Sequence, residues 1–171
     1  MNERKKRIQQ KIKANKQRYQ KANVMNLFPQ HISNVIEKSE IITSPELESI
    51  LHKVHEKWNY ELHKEYFATK YSDVRQEFSW EQEVIQYVQG IKIENELVYL
   101  FLGIDNCPIF LVDGKWALKN FSTLWEHVNY DPIWMIGQDF SYGVLVSRYL
   151  GYLEHDPNPR EIIYAITAWG N

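Results

Sequence analysis

At Leu97 the spacing of the apolar residues changes, and this change limits the fold more than any other feature of the chain. Before it, apolar residues recur every three or four positions, as in Leu47, Ile50, Leu51, Val54 and Trp58. That is the period of a helix with one buried face. After it, the run Leu97-Val98-Tyr99-Leu100-Phe101-Leu102 is almost continuously apolar and stops at Gly103, as a strand buried on both faces does. Helices followed by strand pairs predict an α+β fold, with N-terminal helices, an antiparallel sheet of four to five strands and a short helix between strand pairs. A chain of 171 residues can bury enough surface to fold without a staple. Its single cysteine, Cys107, excludes an intramolecular disulfide and any zinc ribbon or iron–sulfur site built from cysteines.

The element boundaries follow from capping and turn residues. Thr43-Ser44-Pro45-Glu46 has the form of a helix start, and the apolar stripe extends to Leu62 and Tyr66, so a helix is expected over 45–67. Ser79, with Gln82 three residues on, caps a short helix through Val84, Ile85 and Val88 that ends at Gly90. Residues 108–112 read as a second strand. Asp113-Gly114 is a hairpin signal that would return Lys115-Trp116-Ala117-Leu118 as a third. Asn120 or Ser122 caps a short helix with Phe121, Leu124, Trp125 and Val128 on one face. Asp131-Pro132 opens the strand Ile133-Trp134-Met135-Ile136, with 142–149 as its hairpin partner. Residues 159–169 carry opposed signals. Asn158, Pro159 and Glu161 form a helix start, whereas Ile162-Ile163-Tyr164-Ala165-Ile166 favours a strand; the helix is the expectation. Residues 24–42, broken at Pro29, are compatible with a short helix or with loop and strand.

Charge is segregated. Residues 1–21 hold Arg4, Lys5, Lys6, Arg7, Lys11, Lys13, Lys16, Arg18 and Lys21 against Glu3 alone, a net +8. Since the whole chain carries −2, the remaining residues carry −10. This predicts a basic helical arm over 1–23 on a single acidic α+β domain over 24–171. The arm's apolar residues are few, Ile8, Ile12, Tyr19 and Ala22, too thin a stripe to anchor a helix by burial. It reads as a solvated leader packed loosely on the acidic body, or as a nucleic-acid or membrane-surface contact. No apolar run approaches the ~18 residues of a membrane span. The charged start lacks a following hydrophobic stretch, so no secretory signal and a cytoplasmic location are expected.

Chemistry-bearing residues are sparse. His52, Glu56, Asn59 and His63 share a helical face, but His52 and His63 would stand about 16 Å apart along the axis, too far for one metal. The order is not HExxH, which leaves a solvated polar face. Glu154-His155-Asp156 is the densest ionisable cluster. If the 133–149 hairpin brings Asp139 beside it, with Arg148 in reach, a metal-dependent hydrolase or nuclease results; the competing role is turn and cap formation. Cys107 has no basic neighbour, and no phosphate loop or nucleophile elbow is present. No metal and no cofactor are expected. Six tryptophans and eleven tyrosines exceed the needs of a small core. Most of them are expected in the core; in the C-terminal half they are also interspersed with carboxylates, the make-up of a surface patch that binds a basic partner. The partner-binding candidates are Asp131, Asp139, Tyr142, Glu154 and Asp156.

These pieces, and the segment Ile133-Trp134-Met135-Ile136-Gly137-Gln138-Asp139-Phe140-Ser141-Tyr142-Gly143 in particular, give residues 95–170 a layout that resembles the small single-domain immunity proteins of Gram-positive polymorphic toxin systems. The resemblance implies a cytoplasmic, non-enzymatic protein that binds and blocks a cognate toxin. Such toxins are often basic nucleases, which suits a body of −10. The basic arm lies outside the resemblance.

Overall fold

The computed structural model describes residues 3–42, 46–58, 74–93, 96–104, 107–130, 132–152 and 159–170. The chain runs α1 (Glu3–Met25), α2 (Gln30–Lys38), β1 (Glu40–Ile41), α3 (Glu46–Trp58), β2 (Val74–Phe78), α4 (Glu81–Gly90), β3 (Leu97–Leu102), β4 (Phe110–Asp113), α5 (Gly114–Lys119), α6 (Phe121–His127), β5 (Ile133–Gly137), β6 (Gly143–Tyr152) and β7 (Pro159–Trp169). The α+β class holds. The sheet, however, has seven antiparallel strands rather than four or five, in the order β1-β4-β3-β5-β6-β7-β2.

Both faces of the central strands are buried, in alternation along each strand. Val98, Leu100, Ile133, Met135, Val144, Val146 and Ile166 point to one side, where α2, α4, α5 and α6 cover them with Ile32, Ile36, Val84, Val88, Leu118, Phe121, Leu124 and Trp125. Tyr99, Trp134, Ile136, Leu145 and Trp169 point to the other, packed with Ile42, Ile109 and Ile50 of α3. The expected face of α6 is the one observed: Phe121, Leu124, Trp125 and Val128 are all buried. Of the helix expected over 45–67, residues 46–58 are seen, and 59–67 lie outside the described residues.

Three expectations are overturned. Residues 115–118 form no returning strand. Asp113 Oδ1 accepts a hydrogen bond from the Trp116 N–H at 2.7 Å, which makes Asp113 the N-cap of α5 rather than a hairpin corner. Gly114 is needed there for space: a Cβ would meet Ile93 Cγ2 at 2.9 Å and Val98 Cγ1 at 3.1 Å. Residues 159–169 are strand β7, not a helix. Paired on one side with β6 and on the other with β2, they bury Ile166 and Ala168 on one face and Thr167 and Trp169 on the other, which the β-branched composition permits. Pro159 opens the strand, where its missing N–H is tolerated. The cap of α4 also moves by one residue: the Trp80 N–H donates to Glu83 Oε2 at 3.2 Å. Residues 24–42 resolve into the end of α1, then α2 and the two-residue β1. Strand β2, Val-Arg-Gln-Glu-Phe, is short, polar and at the sheet edge, and so gave no apolar signal.

Two outcomes follow from this packing. A Cβ at Gly143 would run into the Trp169 indole, while one at Gly90 meets nothing within 4 Å. Gly143→Ala should cost about 1–3 kcal/mol by overpacking and lower the thermal midpoint by roughly 3–10 °C. Gly90→Ala should leave it unchanged or raise it. Deleting residues 2–18 should shift the midpoint by no more than a few degrees. A deletion that extends through Lys21, which donates to the carbonyls of Glu37 and Ser39 at 2.6 and 3.1 Å, should cost more.

Candidate functional site

The segment that joins β5 to β6 holds one of the three non-glycine residues with positive φ among the described residues, the others being Asn129 and Tyr130. Phe140 has φ 64°, a left-handed conformation that costs a bulky residue energy unless its surroundings impose it. Four contacts impose it here. The Phe140 N–H donates to the Gly137 carbonyl at 2.9 Å. The Trp169 indole N–H donates to the Phe140 carbonyl at 3.1 Å. Asp139 Oδ1 accepts from the Ser141 N–H at 2.9 Å and from its hydroxyl at 2.7 Å. Gly137 and Gly143, without side chains, leave room for the Tyr142 and Trp169 rings. The turn is therefore held rigid with the Asp139 carboxylate in solvent. The two Ser141 hydrogen bonds hold that carboxyl below its ordinary pKa, so it is ionised across the neutral range.

Beside the turn stands a second acid–aromatic contact that sequence spacing could not reveal. Tyr99 of β3 lies 6.1 Å from the Phe140 ring, and its hydroxyl donates to Glu46 Oε1 of α3 at 3.4 Å. Burial, then the Glu46 and Glu40 carboxylates, raise the Tyr99 pKa, and Gln138 opposes them. Glu40, Glu46 and Asp139 thus surround one aromatic cluster. Lys53 of α3 lies over the Phe140 ring at 5.2 Å, so the ring face already accommodates a cation.

The other candidates fall elsewhere. Tyr142 is half-buried and packs on the opposite side of the sheet from Phe140. Its hydroxyl is buried, and burial first, then the charge of the Glu96 carboxylate and a hydrogen bond to it, push its pKa to about 12. Asp131, Glu154, His155 and Asp156 lie outside the described residues, as do Asn59 and His63. His52 is exposed on α3, and Glu56 lies on the same helix. The expected hairpin forms, but it does not bring Asp139 to the far end of β6. Asp139 is in the turn, and Tyr152 lies nine residues along the strand from Gly143, about 30 Å. Arg148 turns instead to the loop after α6, with its guanidinium donating to the Asn129 carbonyl at 3.2 Å and lying 5.5 Å from the Tyr130 ring. Burial pushes the Cys107 thiol up to about 12, so almost none of it is thiolate near neutral pH. Among the described residues no three of His, Cys, Asp and Glu gather as a metal site, and no helix is long and apolar enough to cross a membrane.

Comparison with known proteins places the chain. Residues 1–168 match the family described as YokC prophage protein. The chain belongs to this family. It is 55% identical over 170 residues, 99% of each chain, to the SPbeta prophage-derived uncharacterized protein YokC of Bacillus subtilis (strain 168). No solved structure matches it. Membership establishes a prophage-derived bacterial family and carries no toxin-system assignment. Neither the family nor this relative supports an immunity role, and the Asp113-Gly114 hairpin that was part of that resemblance is a helix cap in the structure.

The buried Tyr142 hydroxyl gives a pH-dependent prediction. Its pKa is near 10.0 unfolded and about 12 folded. Between these values the unfolded chain releases a proton that the native chain keeps, so stability falls as pH rises above 10. Tyr142→Phe removes the titrating hydroxyl with its hydrogen bond to Glu96 and should cost no more than about 1.5 kcal/mol at neutral pH. It should also flatten the alkaline decline. Urea titrations of both chains across pH 8–11 check this; an identical decline in the two would refute it.

Proposed function

We propose that this protein is a non-catalytic binding protein that docks a basic protein, a cognate toxin or effector, on the acidic lobe formed by the β5–β6 turn. The observation that carries the proposal is the rigid turn itself. Asp139 is ionised, exposed and held by its hydrogen bonds to Ser141, beside an aromatic cluster bordered by Glu40 and Glu46. Lys53 already lies over the Phe140 ring, so an incoming Lys or Arg would pair with the exposed carboxylates or displace Lys53 from the ring. The net −10 outside residues 1–21 steers a basic partner toward this body from a distance. The resemblance read from residues 95–170 to immunity proteins is what suggests a toxin as the partner, and a prophage origin is compatible with a protein that acts on another encoded product. The partner-binding roles of Asp131, Glu154 and Asp156 belong to the same proposal, as further acids of the body.

Affinity capture from the native host, and co-expression with the products of neighbouring prophage genes, identify the partner. A basic protein is expected, with an association rate that falls steeply as salt rises. Asp139→Lys and Glu40→Lys should each slow association several-fold at low salt while dissociation changes less. A partner whose binding ignores both substitutions and salt would sink the acidic-lobe mechanism. A purified chain that turns over nucleic acid or a phosphoester would sink the non-catalytic assignment.

A further inference from the structure

Helix α1 is long for what it packs against. Its fixed contacts gather at the C-terminal turns, where Val24 is buried, Lys21 holds the end of α2 and the Ser33 hydroxyl donates to the Met25 carbonyl at 2.7 Å. Toward the N-terminus, Ile8, Ile12 and Tyr19 are 49%, 62% and 70% exposed, and Lys5, Lys6, Arg7, Lys11, Lys16 and Arg18 are exposed as well. A helix of 23 residues is about 34 Å long, so most of this rod meets solvent.

The order of residues around the rod is specific. At about 100° per residue, Ile8, Ile12 and Tyr19 fall within one stripe roughly 40° wide. Lys5 and Lys16 flank it on one side, Lys11, Arg18 and Arg4 on the other, and Lys6, Arg7 and Lys13 occupy the remaining faces of the helix. A membrane-surface helix needs a much broader apolar face than two isoleucines and a tyrosine provide. Pairing of two such helices along the stripe would bring together two segments of +8, which repel. The B-DNA major groove fits all three properties. It admits one α-helix, its floor takes small apolar contacts, and phosphates line both walls. The flanking cations face those two walls over about 20 Å of helix, from Lys5 to Arg18. Double-stranded RNA has a deep, narrow major groove, and a single strand calls for stacking aromatics, of which the rod has only Tyr19.

We infer that α1 is a duplex-DNA-binding helix that enters the major groove with Ile8 and Ile12 toward the floor and grips phosphates on both sides with Lys5, Lys16, Lys11 and Arg18. Binding is driven by phosphate contacts and is therefore steeply salt-dependent.

The test is fluorescence anisotropy of the full chain with a labelled duplex of about 20 base pairs, titrated between about 50 and 200 mM salt. Four phosphate contacts predict a log–log slope near −3.6 and roughly a 150-fold loss of affinity over that range. Lys5→Ala with Lys16→Ala should remove about half of the slope that these four cations carry, and adding Lys11→Ala and Arg18→Ala the other half, leaving only what Lys6 and Arg7 contribute from the other faces of the helix. The four side chains are exposed, so circular dichroism and the thermal midpoint should not change. Asp139→Lys should leave the DNA slope intact, which separates this test from that of the basic-partner site. No binding at the lowest salt, a slope that the fourfold substitution leaves unchanged, or equal affinity for single-stranded DNA of the same length would each overturn the inference. Tighter binding to vesicles of phosphatidylserine and phosphatidylcholine than to the duplex would overturn it in favour of a membrane surface.

Discussion

Two-sided burial of the strands β3, β5, β6 and β7 is the constraint on which the other features depend. A strand buried on both faces needs apolar residues at consecutive positions, and Ile133-Trp134-Met135-Ile136 supplies them. It also needs a layer on each side. One side receives four helices and the larger core. The other receives α3 and a smaller cluster built mainly of aromatics. The asymmetry matters. The smaller layer ends in Tyr99, Phe140 and Trp169, and these rings carry the β5–β6 turn.

That turn shows how packing becomes a surface property. Trp169 lies over Gly143, across the β6–β7 pair, and its indole N–H reaches the Phe140 carbonyl. A hydrogen bond from the last residue of β7 thereby fixes the backbone beside Asp139. Strain at Phe140 is sustained because the sheet, the indole and the Asp139–Ser141 hydrogen bonds over-determine it. The exposed carboxylate is as immobile as the core beneath it, which is what recognition of a cation requires.

The chain thus presents two poles of opposite charge on unlike scaffolds. The acidic pole sits on a packed sheet and is rigid through tertiary contacts. The basic pole is a helix held mainly at one end, with regularity that comes from intrinsic propensity, since Lys, Arg, Gln and Ala fill it without glycine or proline. A near-neutral net charge of −2 hides this arrangement, a net +8 over residues 1–21 against −10 over the rest.

By itself the sequence determined whatever depends on local pattern: the α+β class, the charge partition, the helical arm, the buried face of α6 and the hairpin that presents Asp139. Only the tertiary structure decided what depends on competition between local signals. Asp113-Gly114 is as good a helix cap as a hairpin corner. Its role was settled by the tight space around Gly114 against Ile93 and Val98. The Pro159 and Glu161 signals of a helix start lost to strand partners on both sides, β6 and β2, and one of those partners is too polar to be recognised as a strand. The contact of Tyr99 with Glu46 joins residues 53 positions apart. No periodicity encodes such a contact, because it exists only once α3 has closed over the second face of the sheet.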